Sequence, residues 1–155
     1  MTDKIKLFRI IHGVDWVYIS ENGSLFVDMP NNFSGKSLGW YGNGNKEYEY
    51  DYKDGKTSGK CLGWYKDGSK RYEYDYKDGE YHGKSLGWYK NGNKRYEENW
   101  KDGISHGKHL GWDEDGNKAY EWNYKGGKLH GKLIRWGEGG NKIFESNYKN
   151  GEPID

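Results

Sequence analysis

The chain repeats one residue pattern five times at a fixed spacing of 24 residues. In each copy an aliphatic residue stands two positions before a Trp, a Gly stands four positions after it, and a Lys and an aromatic–Glu pair follow. The tryptophans are Trp40, Trp64, Trp88, Trp112 and Trp136. A period of this length is typical of an array of supersecondary units, none of which can bury its apolar face alone. Such arrays serve as extended surfaces far more often than as catalytic pockets, so the period constrains function as well as fold.

The apolar residues of this chain are few and mostly aromatic. Of the 155 residues 32% are apolar, including 15 Tyr and 8 Trp, while 25 are Gly and 32% are charged. Composition alone would suggest disorder, but regularly placed rings bury a large area per residue. We therefore expect a folded protein with a thin aromatic core.

Each repeat contains the signals of a β-hairpin. In the second copy, strand-forming runs at 62–65 and 71–76 are each followed by Lys-Asp-Gly, at 66–68 and 77–79. Short runs separated by Asn-Gly or Asp-Gly are the strongest local hairpin signal. No apolar helix is available to cover a sheet. The sequence therefore predicts an all-β fold: an elongated, curled antiparallel meander of about ten repeat strands, roughly 45–50 Å long at ~4.8 Å per strand.

Loop length decides which side chains share a face. A three-residue loop at 66–68, with a left-handed Gly, would pair Leu62 with Tyr72 and separate apolar from polar side chains, whereas a two-residue loop mixes them. The same loop length is predicted at 77–79. One face is then expected to carry Leu62, Trp64, Tyr72, Tyr74 and Tyr76. The opposite face is expected to carry Gly63, Tyr65, Arg71, Glu73 and Asp75, within a column formed by Glu49, Glu73, Glu97, Glu121 and Glu145.

The array is predicted to occupy residues 34–155. Its hairpin repeats are expected at 34–57, 58–81, 82–105, 106–129 and 130–153. The last repeat is interpreted as a C-terminal cap because aliphatic and Phe side chains replace the polar or Tyr residues of earlier copies, at Leu133, Ile134, Ile143 and Phe144. Residues 1–33 are predicted to form an N-terminal β capping segment, a degenerate extra repeat with strands at 4–11, 14–20 and 24–29.

The turn residues resemble those of the MORN repeat. The pattern Y-x-x-G-x-x-H-G occurs at 76–83 and 124–131, and the element W-Y-x-N/D-G-N/S-K-x-Y-E, at 64–73 and 88–97, is similar to the bacterial variant of that repeat. The resemblance covers about residues 34–151. It implies an array of hairpins, and it implies kinship with bacterial or phage proteins that are commonly called antitoxin-like or immunity-like.

The sequence predicts no enzyme, no cofactor and no metal site. His82, His106 and His130 recur once per repeat, but equivalent positions in successive hairpins lie about 10 Å apart, too far for ligands of one ion. The glutamate column is spaced in the same way. No catalytic triad, phosphate-cradling loop or zinc-binding Cys pair is present. Cys61, the single cysteine, is interpreted as a packing residue.

Charge and targeting signals exclude several classes of partner. The net charge is +1 and Lys alternates with Glu, so no basic stripe predicts nucleic-acid binding. The N-terminus lacks a secretory apolar core, and no segment approaches the length of a transmembrane span. A cytoplasmic location is therefore predicted.

Two groups of residues are candidates for partner binding. Tyr41, Tyr65 and Tyr89 are predicted to form a row on the polar face, and exposed Tyr beside charged residues is common in protein interfaces. A second group departs most from the repeat template and is predicted to set partner specificity. It comprises Trp100, Asp113, Glu114 and Trp122.

These features favour a non-enzymatic module that binds another protein through an extended β surface. Its predicted role is that of an antitoxin, immunity or anti-defence inhibitor of a toxin or effector nuclease. One alternative is an aromatic-cage reader of choline or a cell-wall glycan, because its hairpins resemble choline-binding repeats. Another is a membrane-surface or structural scaffold. Edge strands at both ends would also allow dimerisation.

Overall fold

The computed structural model describes residues 16–20, 25–26 and 31–154, and its strands form one antiparallel sheet of 14 strands. Strands β3 to β14 follow the chain order across the sheet, apart from β9, which pairs only with β8; β1 and then β2 continue the sheet beyond β3. The strands are β1 (Trp16–Ser20), β2 (Leu25–Phe26), β3 (Gly35–Trp40), β4 (Lys46–Lys53), β5 (Lys56–Trp64), β6 (Lys70–Lys77), β7 (Glu80–Trp88), β8 (Lys94–Lys101), β9 (Ile104–Ser105), β10 (Gly107–Trp112), β11 (Lys118–Lys125), β12 (Lys128–Trp136), β13 (Lys142–Lys149) and β14 (Glu152–Pro153).

The predicted all-β hairpin meander is confirmed. A single 3-10 turn, Glu138–Gly140, is the only helical element in the described part of the chain. Within the strands predicted at 14–20 and 24–29, the described residues form β1 and β2. The strand predicted at 4–11 lies outside the described residues.

The sheet is a single layer with very little enclosed core. Among residues 31–154, the buried apolar side chains are Phe33, Leu38, Cys61 and Ile134. Most tyrosines and tryptophans are half-buried. Stability therefore depends on contacts between side chains of neighbouring strands on each face of the sheet.

The predicted three-residue loop is confirmed at 66–68. The amide of Gly68 donates to the carbonyl oxygen of Tyr65 at 2.9 Å, and the amide of Tyr65 donates to the carbonyl oxygen of Ser69 at 2.8 Å. Gly68 has a φ of +91°, the left-handed conformation that glycine adopts without strain.

The predicted pairing of Leu62 with Tyr72 is wrong. A β-bulge follows the loop: Trp64 pairs with Lys70, but Gly63 pairs with Tyr72, which leaves the intervening arginine unpaired. Leu62 therefore pairs with Glu73, and Trp64 and Tyr72 lie on opposite faces of the sheet.

Close packing of a tyrosine ring on a glycine explains this register. A Cβ atom at Gly63 would lie 2.2 Å from Cε1 of Tyr72, so the ring occupies the space that any side chain there would need. The same contact recurs in three of the other four repeats, at Gly39–Tyr48, Gly87–Tyr96 and Gly111–Tyr120, whereas the fifth repeat pairs Arg135 with Phe144. The glycine of each L-G-W motif thus packs against a tyrosine ring of the next strand.

The second turn of each repeat is shorter than predicted. Lys77 pairs with Glu80, so Asp78 and Gly79 form a two-residue loop, with φ values of 53° and 89°. Tyr76 pairs with Tyr81 whereas Tyr74 pairs with Ser85, so two extra residues are accommodated in a second bulge. An even number of extra residues keeps all the tyrosines of the strand on one face.

The observed register defines two faces that differ from the predicted ones. Leu62 and Trp64 lie with Glu73 and Asp75 on what we call the charged face, whereas Gly63 lies on the opposite, ring face. The ring face carries Tyr48, Tyr50, Tyr52, Tyr72, Tyr74, Tyr76, Tyr81, Tyr96, Glu98, Trp100, His109, Tyr120, Trp122, Tyr124, Phe144 and Tyr148. The charged face carries the five repeat tryptophans and the five glutamates of the column.

On the charged face every glutamate of the column is held by two lysines. Glu97 accepts hydrogen bonds from Lys84 at 2.9 Å and from Lys94 at 2.7 Å. The ammonium of Lys94 also lies 5.3 Å from the ring centroid of Trp112 in the next repeat. The equivalent lysine pairs are Lys36 and Lys46 on Glu49, Lys60 and Lys70 on Glu73, Lys108 and Lys118 on Glu121, and Lys132 and Lys142 on Glu145. Each hairpin is thereby tied to its neighbours.

We expect Gly63→Ala to lower the free energy of unfolding by about 1–3 kcal/mol, the usual cost of overpacking, because the new methyl group collides with the Tyr72 ring. Gly42→Ala is the matched control, since nothing lies within 4 Å of a Cβ atom at that turn position. Urea denaturation of both variants measures the difference. Equal stabilities would refute the proposed role of the ring–glycine contact.

Acid should weaken the array. Hydrogen bonds from Lys84 and Lys94 lower the pKa of Glu97 below its ordinary value of 4.5, and hydrogen bonds from Lys142 and Lys132 lower the pKa of Glu145 to about 2. A lowered folded-state pKa contributes stability that is present above the unfolded pKa and is lost as pH falls through the folded value. We expect the free energy of unfolding to fall from about pH 5 downward, with a shallower slope in Glu97→Gln. An unchanged slope in that variant would contradict this assignment.

Candidate functional site

The three tyrosines predicted to form a binding row on the polar face lie at the turn edge of the sheet, and their hydroxyl groups bind the protein itself. Tyr41, Tyr65 and Tyr89 are half-buried and each begins the turn that follows a repeat tryptophan. Each hydroxyl donates to the carbonyl oxygen of the next repeat's tryptophan, at 2.8–2.9 Å. Guanidinium groups lie 5.7 Å from the ring centroids of Tyr65 and Tyr89. The row therefore joins neighbouring hairpins, a structural role that the sequence did not predict.

Asp113 and Glu114 also lie at this turn edge of the sheet. Asp113 replaces the tyrosine in the fourth repeat, and its carboxylate accepts hydrogen bonds from the backbone and side-chain nitrogens of Asn117, at 2.8 and 3.1 Å. These hydrogen bonds lower the pKa of Asp113. The Glu114 carbonyl oxygen accepts the side-chain amides of Asn91 and Asn93, at 2.6 and 2.8 Å, and its own side chain is exposed. Both residues close turns.

Trp100 and Trp122 lie elsewhere, on the ring face. Trp100 stacks on Tyr81 with ring centroids 5.3 Å apart, and Trp122 stacks on Tyr120 at 4.5 Å. The structure therefore separates the predicted specificity region into two places, turn edge and ring face.

The ring face is a nearly continuous band of aromatic side chains. Tyr72 stacks on Tyr74 with centroids 4.7 Å apart. The hydroxyls of Tyr50 and Tyr72 share a hydrogen bond of 2.8 Å, and those of Tyr74 and Tyr96 share one of 2.7 Å. Burial is the main cause of the raised pKa of Tyr72, Tyr74 and Tyr96, so these hydroxyls stay protonated.

Small side chains alternate with these rings across the sheet. Cys61 pairs with Tyr50 on one side and with Tyr74 on the other, and Ser85 pairs with Tyr74 and Glu98. Both small residues are at most 2% exposed. The rings lie over them and keep their other sides half-open to solvent.

Glu98 interrupts the band and was missed by sequence reasoning. It occupies the position held by Tyr50 and Tyr74 in earlier repeats and by Trp122 in the next. It is half-buried, and no hydrogen bond or ion pair joins its carboxylate to another residue of the described chain. The available signal was the change from Y-E-Y to Y-E-E, which places a charge in a column of rings.

The C-terminal end of the ring face contains an open cavity of about 520 Å³. Its lining includes Tyr120, Trp122, Leu133, Arg135, Phe144 and Tyr148. Of the apolar residues that suggested a cap, Ile134 is buried, whereas Ile143 is 63% and Phe144 45% exposed. Of these two exposed side chains, Phe144 lines the cavity and Ile143 does not.

Within the described residues, no group of three or more His, Cys, Asp or Glu side chains is arranged to hold a metal ion, and no helix is long and apolar enough to cross a membrane. The chain matches no protein-family model, and the comparison with curated proteins found no significant similarity.

The Cys61 thiol should be inert in the folded protein. Burial raises its pKa to about 12 from an ordinary value of 9.0, and three units correspond to roughly 1000-fold less thiolate near neutral pH. We expect a disulfide reagent such as DTNB to label Cys61 only after urea unfolding. Rapid stoichiometric labelling of the native chain would show that the ring face opens readily.

Proposed function

We propose that this chain is a non-enzymatic binding protein that holds another protein on its ring face. The observation that carries the proposal is the contrast between the two faces. The column glutamates of the charged face are neutralised by lysines of the same sheet, whereas the ring face is a band of half-exposed aromatic side chains with no second layer over it in residues 31–154. Extended apolar surfaces of this kind mark interaction sites.

The dimensions of the ring face suit a protein partner. About ten strands at ~4.8 Å give a length near 45 Å, and three ring positions per strand span roughly 14 Å. The resulting strip, on the order of 600 Å², is comparable to the ~800 Å² that each partner contributes to a standard interface. Tyr and Trp are also the residues most enriched at the energetic centres of interfaces.

The resemblance to bacterial MORN-type repeats supports a more specific role. We propose that the bound protein is a toxin or effector nuclease, and that the chain acts in the cytoplasm as its antitoxin, immunity or anti-defence inhibitor. Inhibition by steric blocking requires no catalytic group in the inhibitor. An extended rigid sheet is suited to it because binding costs little conformational entropy when the surface is preformed.

Dimerisation through the sheet edges stays a prediction. The outermost described strands, β2 and β14, have two residues each, and β14 ends in Pro153. At the β14 end, a two-residue edge strand that contains proline offers few free backbone groups to a second copy. The ring face therefore offers a partner more surface than the edge at β14 does.

A second candidate, a reader of choline or a glycan, is supported by the C-terminal cavity. A volume of about 520 Å³ beside Tyr120 and Trp122 matches a small ligand. Titration of intrinsic fluorescence with choline and short glycans tests it, and a flat response would dismiss it.

Ring-face substitutions test the leading proposal. We expect a tagged chain to retain one stoichiometric protein at moderate salt, and Phe144→Ser to weaken that retention at least tenfold. Ile143→Ser is the matched control, because this adjacent side chain is even more exposed, at 63% against 45%, and is displaced from the paired register.

Two results would contradict the proposal. One is recovery of no stoichiometric protein, and the other is equal retention by Phe144→Ser and Ile143→Ser. Recovery of only a second copy of the chain, measured as a dimer by light scattering and lost in Phe144→Ser, would assign the ring face to self-association instead.

A further inference from the structure

We infer that Glu98 is the receptor for an arginine side chain, whose guanidinium group binds the carboxylate between the surrounding aromatic rings. This inference rests on the proposed function in one respect, which is that the arginine belongs to the bound protein. The site lies at the middle of the ring face, on β8, rather than in the C-terminal cavity.

Glu98 differs in its charge pairing from the glutamates of the charged face. All five column glutamates on the charged face accept hydrogen bonds from two lysines each. Glu98, one residue after Glu97, is the only carboxylate that strand pairing places on the ring face of residues 31–154, and no ion pair joins it to a cation of those residues. A carboxylate that is partly removed from water without a partner lowers stability. A cation supplied by a ligand removes that cost on binding.

Four tyrosine rings lie within electrostatic reach of Glu98. Burial is the main cause of the raised pKa of Tyr74, Tyr96, Tyr120 and Tyr124, and the charge of Glu98 contributes to each. Strand pairing through Ser85 places Tyr74 and Glu98 on the same part of the ring face, and tyrosines of β8 and β11 lie within electrostatic reach of the carboxylate. A cation held there would interact with their π faces as well as with the carboxylate.

Three buried groups of the ring face have unused hydrogen-bonding capacity. Ser85, which is paired with Glu98 across the strands and is 2% exposed, has a hydroxyl without a hydrogen-bond partner among the described residues. The buried indole nitrogens of Trp100 and Trp122 also lack one. A buried donor without an acceptor costs roughly 1–3 kcal/mol. The peptide that carries the arginine would supply acceptors for these groups when it binds.

Guanidinium suits this arrangement better than an ammonium group. It is planar and stacks on aromatic rings, it donates two parallel hydrogen bonds to one carboxylate, and it is more weakly hydrated than the lysine ammonium. An ammonium ion offers only a point charge and loses more hydration on entering a band of rings. The site should therefore prefer arginine to lysine.

The test uses N-acetyl-arginine N-methylamide as the probe, followed by the indole N–H signals of Trp100 and Trp122 in NMR spectra. We expect saturable shifts with a dissociation constant on the order of millimolar. The lysine analogue should bind several-fold more weakly, and the neutral citrulline analogue should not bind measurably.

Matched variants locate the site. Glu98→Gln should weaken arginine binding at least fivefold, and Glu98→Tyr, which restores the residue of the first two repeats, should abolish it. Glu97→Gln is the control, since it removes the neighbouring carboxylate from the opposite face and should leave binding unchanged. Amide spectra and urea denaturation confirm that each variant is folded.

Binding of citrulline as tight as that of arginine, absence of saturable binding, or equal binding by Glu98→Gln would overturn the inference. If the probe fails while Phe144→Ser still releases a protein partner, the assignment of Glu98 is wrong and the proposed function stands. If arginine binds at Glu98 but no protein depends on the ring face, the site is real and its assignment to a protein partner is wrong.

Discussion

The contact between a tyrosine ring and the glycine paired with it in the neighbouring strand determines the rest of this structure. Without a side chain at Gly63, the ring of Tyr72 lies directly on the backbone, and a bulge next to Trp64 brings the two residues opposite each other. The register that follows places the tyrosines on one face and moves the tryptophans to the other. Repetition at each L-G-W motif turns one local contact into the architecture of the whole sheet.

The division into two faces gives each a different task. On the charged face, a lysine such as Lys94 both binds Glu97 and lies over the tryptophan of the next repeat, so ion pairs and cation–π contacts join the hairpins. A single exposed ion pair contributes little to stability, but a network repeated along an array fixes many side chains at once. Because these contacts lie on the charged face, the proposed binding of a partner on the ring face would leave them intact.

The sequence was sufficient to predict the repeat, the hairpins and the left-handed Gly68, because each has a local signal. Register was not predictable by the same reasoning. The expected separation of apolar from polar side chains fails, because Trp64 packs against Lys46 as a cation–π partner. The close approach of the Tyr72 ring to Gly63 has no local signal in the L-G-W motif. Tyr65 was predicted to be exposed, but its hydroxyl group donates a hydrogen bond to a residue 23 positions later in the chain. A local sequence pattern carries no information about a contact over that separation.

Departures from the template carry more functional information here than the template itself. Identical units present identical groups about 10 Å apart, so a perfect array can hold an extended partner but cannot define its position along the sheet. A residue that occurs once removes this degeneracy. Glu98 does so by placing one unpaired carboxylate within a band of rings, where a competing register would bring an arginine against tyrosine hydroxyls instead. In the proposed complex, specificity arises from the difference between the correct and the shifted alignment, and the aromatic contacts common to both supply the affinity.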